Sequence, residues 1–84
     1  MLKLEDNLLK IDLQEGKSQD ELVELLIKEL SNTFLEKMYG LEMNIFGRLT
    51  TGMAIVLGHK LAHICKSVSI YDPKQDKYVK VIWH

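Results

Sequence analysis

Residues 41–70 read LEMNIFGRLTTGMAIVLGHKLAHICKSVSI, and their periodicity decides the fold. Leu41, Met43 and Ile45 alternate with Glu42 and Asn44, which predicts a strand running into Phe46 and stopping at Gly47. From Thr50 or Thr51 the period changes: Met53, Leu57, Leu61 and Ile64 recur at helical steps and form one apolar side. Val68 and Ile70 then alternate with Ser67 and Ser69, so the helix hands over to another strand.

Working outward, Leu2 and Leu4, then Leu9, Ile11 and Leu13, alternate with polar residues on either side of Asp6-Asn7, the pattern of a hairpin. Glu15-Gly16-Lys17 breaks that pattern, and Ser18 followed by Glu21 has the spacing of a capping box at a helix start. Leu22, Val23, Leu26, Ile27, Leu30 and Phe34 supply the apolar stripe of this first helix, ending at Gly40 or earlier near Ser31-Asn32-Thr33. Beyond residue 70, Val79, Val81 and Trp83 alternate across a turn formed by Asp72 to Lys77, predicting a second hairpin. The expected architecture is a single α/β domain over residues 1–84 with two helices on a mixed sheet.

Composition narrows the functional classes. A chain of 84 residues buries only about 60% of its unfolded surface, so a homodimer is expected. A formal charge of −1 excludes a broadly basic nucleic-acid binder, and any phosphate must be held locally. Cys65 is the only cysteine, which rules out an intramolecular disulfide and a cysteine-based zinc site and suits a packing role. No secretory leader or long apolar run is recognisable, so the expected location is the cytoplasm, with no membrane partner.

The polar chemistry concentrates between Gly47 and Lys74. Gly47-Arg48-Leu49-Thr50-Thr51-Gly52 lies where a strand meets a helix, a place where free amides can receive a phosphate. Arg48 can grip a phosphate with two parallel bonds, and Thr50 or Thr51 can either donate a hydroxyl or simply cap the helix. Helical geometry sets His59, His63 and Lys66 nearly opposite the core side, so the imidazoles are candidates for a ligand, a metal or a partner chain. A zinc-protease helix is excluded, since no glutamate follows the first histidine. Lys60 and Lys74 add charge nearby. Asp72 can orient an imidazole, bind a divalent ion, contact a sugar hydroxyl or cap its own turn. Tyr71, Tyr78 and Trp83 can stack on bases, but packing within a small sheet is their expected role.

From Asn44 onward the chain resembles the small CRISPR-associated ring nucleases of the third Crn class, the Csx-three family. The resemblance rests on Gly47-Arg48, on His59-Lys60-Leu61-Ala62-His63, on Val68-Ser69-Ile70-Tyr71-Asp72-Pro73, and on a final hydrophobic strand ending in histidine. It covers about half the chain. It implies a Rossmann-like, CARF-related domain that degrades cyclic tetra-adenylate and so switches off type III CRISPR antiviral signalling. It further implies Mn2+ dependence, His63 and Asp72 as the cleaving residues, and a homodimer that a ring ligand bridges into a tetramer or larger assembly. Arg48, Thr50, Thr51, His59, Lys60 and Lys74 are the expected ligand-binding residues. Family members commonly carry arginine where Lys74 stands; lysine keeps the charge and loses the planar fork. Three other readings stand beside this one: a sensor that binds cyclic oligoadenylate without cutting it, an Mn2+-dependent RNA 3′-end exonuclease, and a structural dimerisation module.

Overall fold

A computed structural model describes residues 1–83. The elements follow in the order β1 (Leu2–Glu5), β2 (Leu8–Ile11), α1 (Gln19–Glu29), α2 (Asn32–Glu36), β3 (Glu42–Gly47), α3 (Thr51–Ala62), β4 (Ser67–Asp72) and β5 (Lys77–Trp83). The strands form one mixed sheet in sequential order β1-β2-β3-β4-β5. Both outer pairs are antiparallel hairpins, whereas β2, β3 and β4 run parallel. Parallel neighbours require crossovers, which the α1–α2 segment and α3 provide.

The predicted alternation corresponds to the two faces of this sheet. Leu9 and Ile11 on β2, Met43 and Ile45 on β3, and Val68 on β4 are buried beneath the helices. They meet Leu22 and Leu26 from α1 and Met53, Leu57 and Leu61 from α3 in a single cluster. Since both crossovers contribute to that one core and α1 packs against α3, the helices cover one face of the sheet and leave the other bare. The fold is therefore a two-layer α/β arrangement, whereas a doubly wound sheet carries helices on both faces.

The capping box forms as expected: Ser18 Oγ accepts the Glu21 amide at 3.3 Å, and Glu21 Oε1 accepts the Ser18 amide at 3.2 Å. The expectation of two helices is corrected to three. Ser31 accepts the Phe34 amide at 3.2 Å and starts α2 as its N-cap. A serine that satisfies a new helix start competes with continuation of the old one, so the chain turns after Leu30 and buries Leu35 and Met38 from another direction. Leu13 lies beyond β2 and Ile64 beyond α3, yet both still pack on the core. No helix among the described residues is long and apolar enough to cross a membrane.

Candidate functional site

Strand direction sorts the candidate residues into two groups. β3 ends at Gly47, and α3 returns along the sheet before β4 runs parallel to β3, with Met43 beside Val68 and Ile45 beside Ile70. Arg48, Thr50, Thr51, Asp72 and Lys74 therefore gather at the carboxyl ends of the central strands. His59, Lys60 and His63 occupy the opposite end, on the last turn and C-cap of α3. The eleven residue steps of α3, at the usual helical rise, correspond to about 17 Å, and the five steps of β4 to a similar length. His63 and Asp72 of one molecule are thus far outside hydrogen-bonding reach of each other.

At the strand end, the helix start is supplied with acceptors by the chain itself. Thr50 Oγ1 accepts the Met53 amide at 3.2 Å, and Gln19 Oε1 accepts the Gly52 amide at 2.8 Å. Thr50 therefore acts here as an N-cap, and Gln19 ties α1 to the start of α3. The role of Gln19 was invisible in its sequence neighbourhood because the bond joins two separate crossovers. Arg48 is exposed and lies 3.9 Å from the Glu15 carboxylate. Thr51 is exposed on the first turn of α3.

Asp72 holds the β4–β5 turn together. Its Oδ1 accepts the Lys74 amide at 2.9 Å and its Oδ2 accepts the Gln75 side-chain amide at 2.7 Å. These bonds, the Gln75 one foremost, hold the carboxyl below its ordinary value of 3.8. Each carboxylate oxygen has a second lone pair for another donor. Because the folded value is depressed, the turn bonds contribute stability above pH 3.8 and lose it as the pH falls through the folded value. Asp72→Asn is expected to remove this part of the acid-side dependence, checked by comparing thermal midpoints of the two proteins from neutral pH down to strong acid.

At the helix end, His59 and His63 are exposed neighbours on successive turns, with ring centroids 4.8 Å apart and planes at 84°. Ile55, on the same outer side of α3, is 67% exposed. Among the described residues no element covers this face. Among the described residues no three histidine, cysteine, aspartate or glutamate side chains converge. Cys65 is buried, and desolvation pushes its thiol up to about 11, in keeping with a packing role.

Tyr71 and Tyr78 pack ring against ring as expected, but on the bare face of the sheet and not in the core. Tyr78 is 39% exposed and Trp83 66% exposed, both on the bare face. They join a residue that sequence reasoning passed over: Phe46, 44% exposed, whose ring centroid lies 5.0 Å from that of Tyr71. Tyr71 lies 5.4 Å from Tyr78, and its hydroxyl donates to the Asp76 carboxylate, which pushes the phenol upward. Parity was the available signal, since Phe46 has the same parity as Glu42 and Asn44 and so falls on their side of β3. His84, the final histidine of the family resemblance, lies outside the described residues.

No family model, curated protein or solved structure matches this chain.

Proposed function

We propose that the protein is a ring nuclease that cleaves cyclic tetra-adenylate in the cytoplasm and so ends type III CRISPR antiviral signalling. The observation that carries this reading is the division of the polar residues between opposite ends of the molecule. A linkage touched by both His63 and Asp72 must lie between two copies, with the histidine end of one over the strand end of another. A cyclic tetranucleotide suits such a shared site because its own rotational symmetry can be met by repeated subunits.

In this arrangement Arg48 and Lys74 hold phosphates by charge, and Thr51 contributes a hydroxyl. Cleavage breaks one phosphorus–oxygen bond; the attacking oxygen loses a proton and the departing oxygen gains one. Imidazole is the side chain best suited to move such protons near neutral pH, which gives His63 its role. Asp72 offers its remaining lone pairs to the imidazole or a ribose hydroxyl. His59 and Lys60 border the same histidine end and bind the ring. Mn2+ enters through the family resemblance, and its contribution is read by assaying with the ion added and with it chelated.

Complementation tests the shared site directly. His63→Ala and Asp72→Ala proteins are each expected to leave labelled cyclic tetra-adenylate intact. Mixed in equal amounts, they should recover about a quarter of wild-type cleavage, because one junction in four joins an intact histidine end to an intact aspartate end. Absence of cleavage by the wild-type protein with or without Mn2+ would overturn the reading. Tight binding of an uncut ring would assign a sensor instead, and shortening of linear poly-A-tailed RNA an exonuclease.

A further inference from the structure

The exposed outer side of α3 carries Ile55, His59 and His63 at four-residue steps, each one turn above the last. His63 is the C-cap but keeps helical angles, φ −78° and ψ −21°, so its ring still lies beside that of His59. Among the described residues neither imidazole takes a hydrogen bond or an ion pair; each touches only the other. Every neutral imidazole has one nitrogen lone pair, and here both are free for a ligand.

The separation of the rings is that of two ligands on one metal ion. With nitrogen–metal bonds of about 2.0–2.1 Å and bond angles between square-planar and tetrahedral, two imidazoles on one ion have ring centres about 4.5–5.2 Å apart. The observed 4.8 Å falls inside that range. The planes stand at 84°, one ring edge toward the other's face, so the lone pairs converge after rotation about χ2. That torsion is broad for histidine, and exposed rings turn without disturbing the core.

Donor chemistry then selects the ion. No acidic residue stands anywhere in α3, so this face offers nitrogen and no carboxylate oxygen. Two imidazoles suit Zn2+, Ni2+ and Cu2+, whereas Mg2+ and Ca2+ require oxygen donors and Mn2+ stands lowest in the order of affinities. Lys60 and Lys66, the charged residues flanking the pair in the chain, oppose any cation held by charge alone, which again favours ions that bond strongly to nitrogen. Among the described residues no third ligand joins the two histidines, so water completes the shell and the ion exchanges reversibly.

We propose that His59 and His63 form a seat for Zn2+, and that an ion in this seat switches off the histidine end of the molecule. The second half rests on the ring-nuclease reading. A metal bonded to one ring nitrogen leaves the hydrogen fixed on the other, so His63 can no longer take a proton from the attacking oxygen and return one to the departing oxygen. Zn2+ thereby opposes cleavage. Mn2+ competes poorly for two imidazoles and leaves His63 free.

Binding is tested first, without the ring. Zn2+ is titrated into the full chain against a chromophoric chelator. The wild type should bind one ion per chain in the micromolar range, bind Ni2+ and Cu2+ as well, and ignore Mn2+ below millimolar concentration. His59→Ala and His63→Ala should each weaken Zn2+ binding by at least about tenfold, the loss expected when two linked ligands become one. Both residues are exposed, so circular dichroism spectra should not change. Cys65 is buried and does not compete for the ion.

Cleavage of labelled cyclic tetra-adenylate is then followed in Mn2+ with increasing Zn2+. Saturating Zn2+ should slow the wild type by at least about tenfold, and its removal should restore the rate. His59→Ala, scored against its own zinc-free rate, should need at least about tenfold more Zn2+ for the same fractional loss. The seat is overturned if Zn2+ binds wild type and both variants equally, or binds none of them. The switch is overturned if Zn2+ fills the seat and cleavage continues unslowed, or if His59→Ala is as sensitive as wild type. Zinc binding lost in both variants, with no cleavage in any metal, upholds the seat and overturns the ring-nuclease reading together with the switch built on it.

Discussion

His63→Ala is expected to slow cleavage of cyclic tetra-adenylate by about 10²- to 10⁴-fold, the usual contribution of a positioned proton carrier. The fold should not notice the change. His63 is the exposed C-cap residue of α3, and its ring meets that of His59 on the outside of the helix. Loss of the side chain opens no cavity and strands no buried polar group, so the thermal midpoint should stay within a degree or two of wild type. Ring binding should also persist, since the charges assigned to the phosphates, Arg48 and Lys74, belong to the other end of the molecule. Single-turnover cleavage and equilibrium binding of a labelled ring separate these effects. Equal loss of both would make His63 a binding residue; equal loss of stability would make it structural.

Gly47→Ala should have the largest effect on folding, lowering stability by about 2–5 kcal/mol through combined backbone strain and overpacking. Gly47 has φ +134°, where side chains are disfavoured, and a Cβ would lie 2.2 Å from the Ile11 carbonyl oxygen across the β2–β3 pair. Relief requires separation of two central parallel strands or movement of the chain leading to Arg48 and Thr50. Gly16 is the control: its φ is +80°, but a Cβ there meets nothing within 4 Å. Gly16→Ala should therefore cost only the local strain, about 1 kcal/mol. Urea unfolding of the two variants and the wild type measures the difference directly. Equal losses at the two positions would refute the close approach at Gly47. Because a typical domain has only about 5–15 kcal/mol in reserve, the Gly47 variant should also lose ring cleavage at elevated temperature.

Most of the fold was legible because periodicity is a local property. Alternation in Met43 and Ile45, helical spacing in Met53, Leu57 and Leu61, and the Ser18–Glu21 box each specify structure through residues a few positions apart. The break after Leu30 was legible as one of two options, but only the packing of Leu35 and Met38 favoured a new helix over a longer one. Asp72 behaved likewise: turn capping was one of its available roles, and its bonds to Lys74 and Gln75 realise it.

The candidate site was legible as a set of residues and illegible as a shape. Sequence proximity joins His63 to Asp72 across nine positions, but those positions include a strand that carries the second residue away from the first. Only the parallel direction of β3 and β4 shows that the two belong to opposite ends. The aromatic face was hidden for a related reason. Phe46, Tyr71 and Tyr78 come from three strands, and their contact depends on register, which no local window contains.

By itself, then, the sequence determined which segments become strands and helices and which of their sides turn inward, because side-chain period and capping act within a few residues. The tertiary structure alone decided that every helix covers the same face, that an aromatic row lies bare on the other, and that the histidines stand apart from the aspartate. Those outcomes depend on strand order and direction, set when distant segments bury one common core.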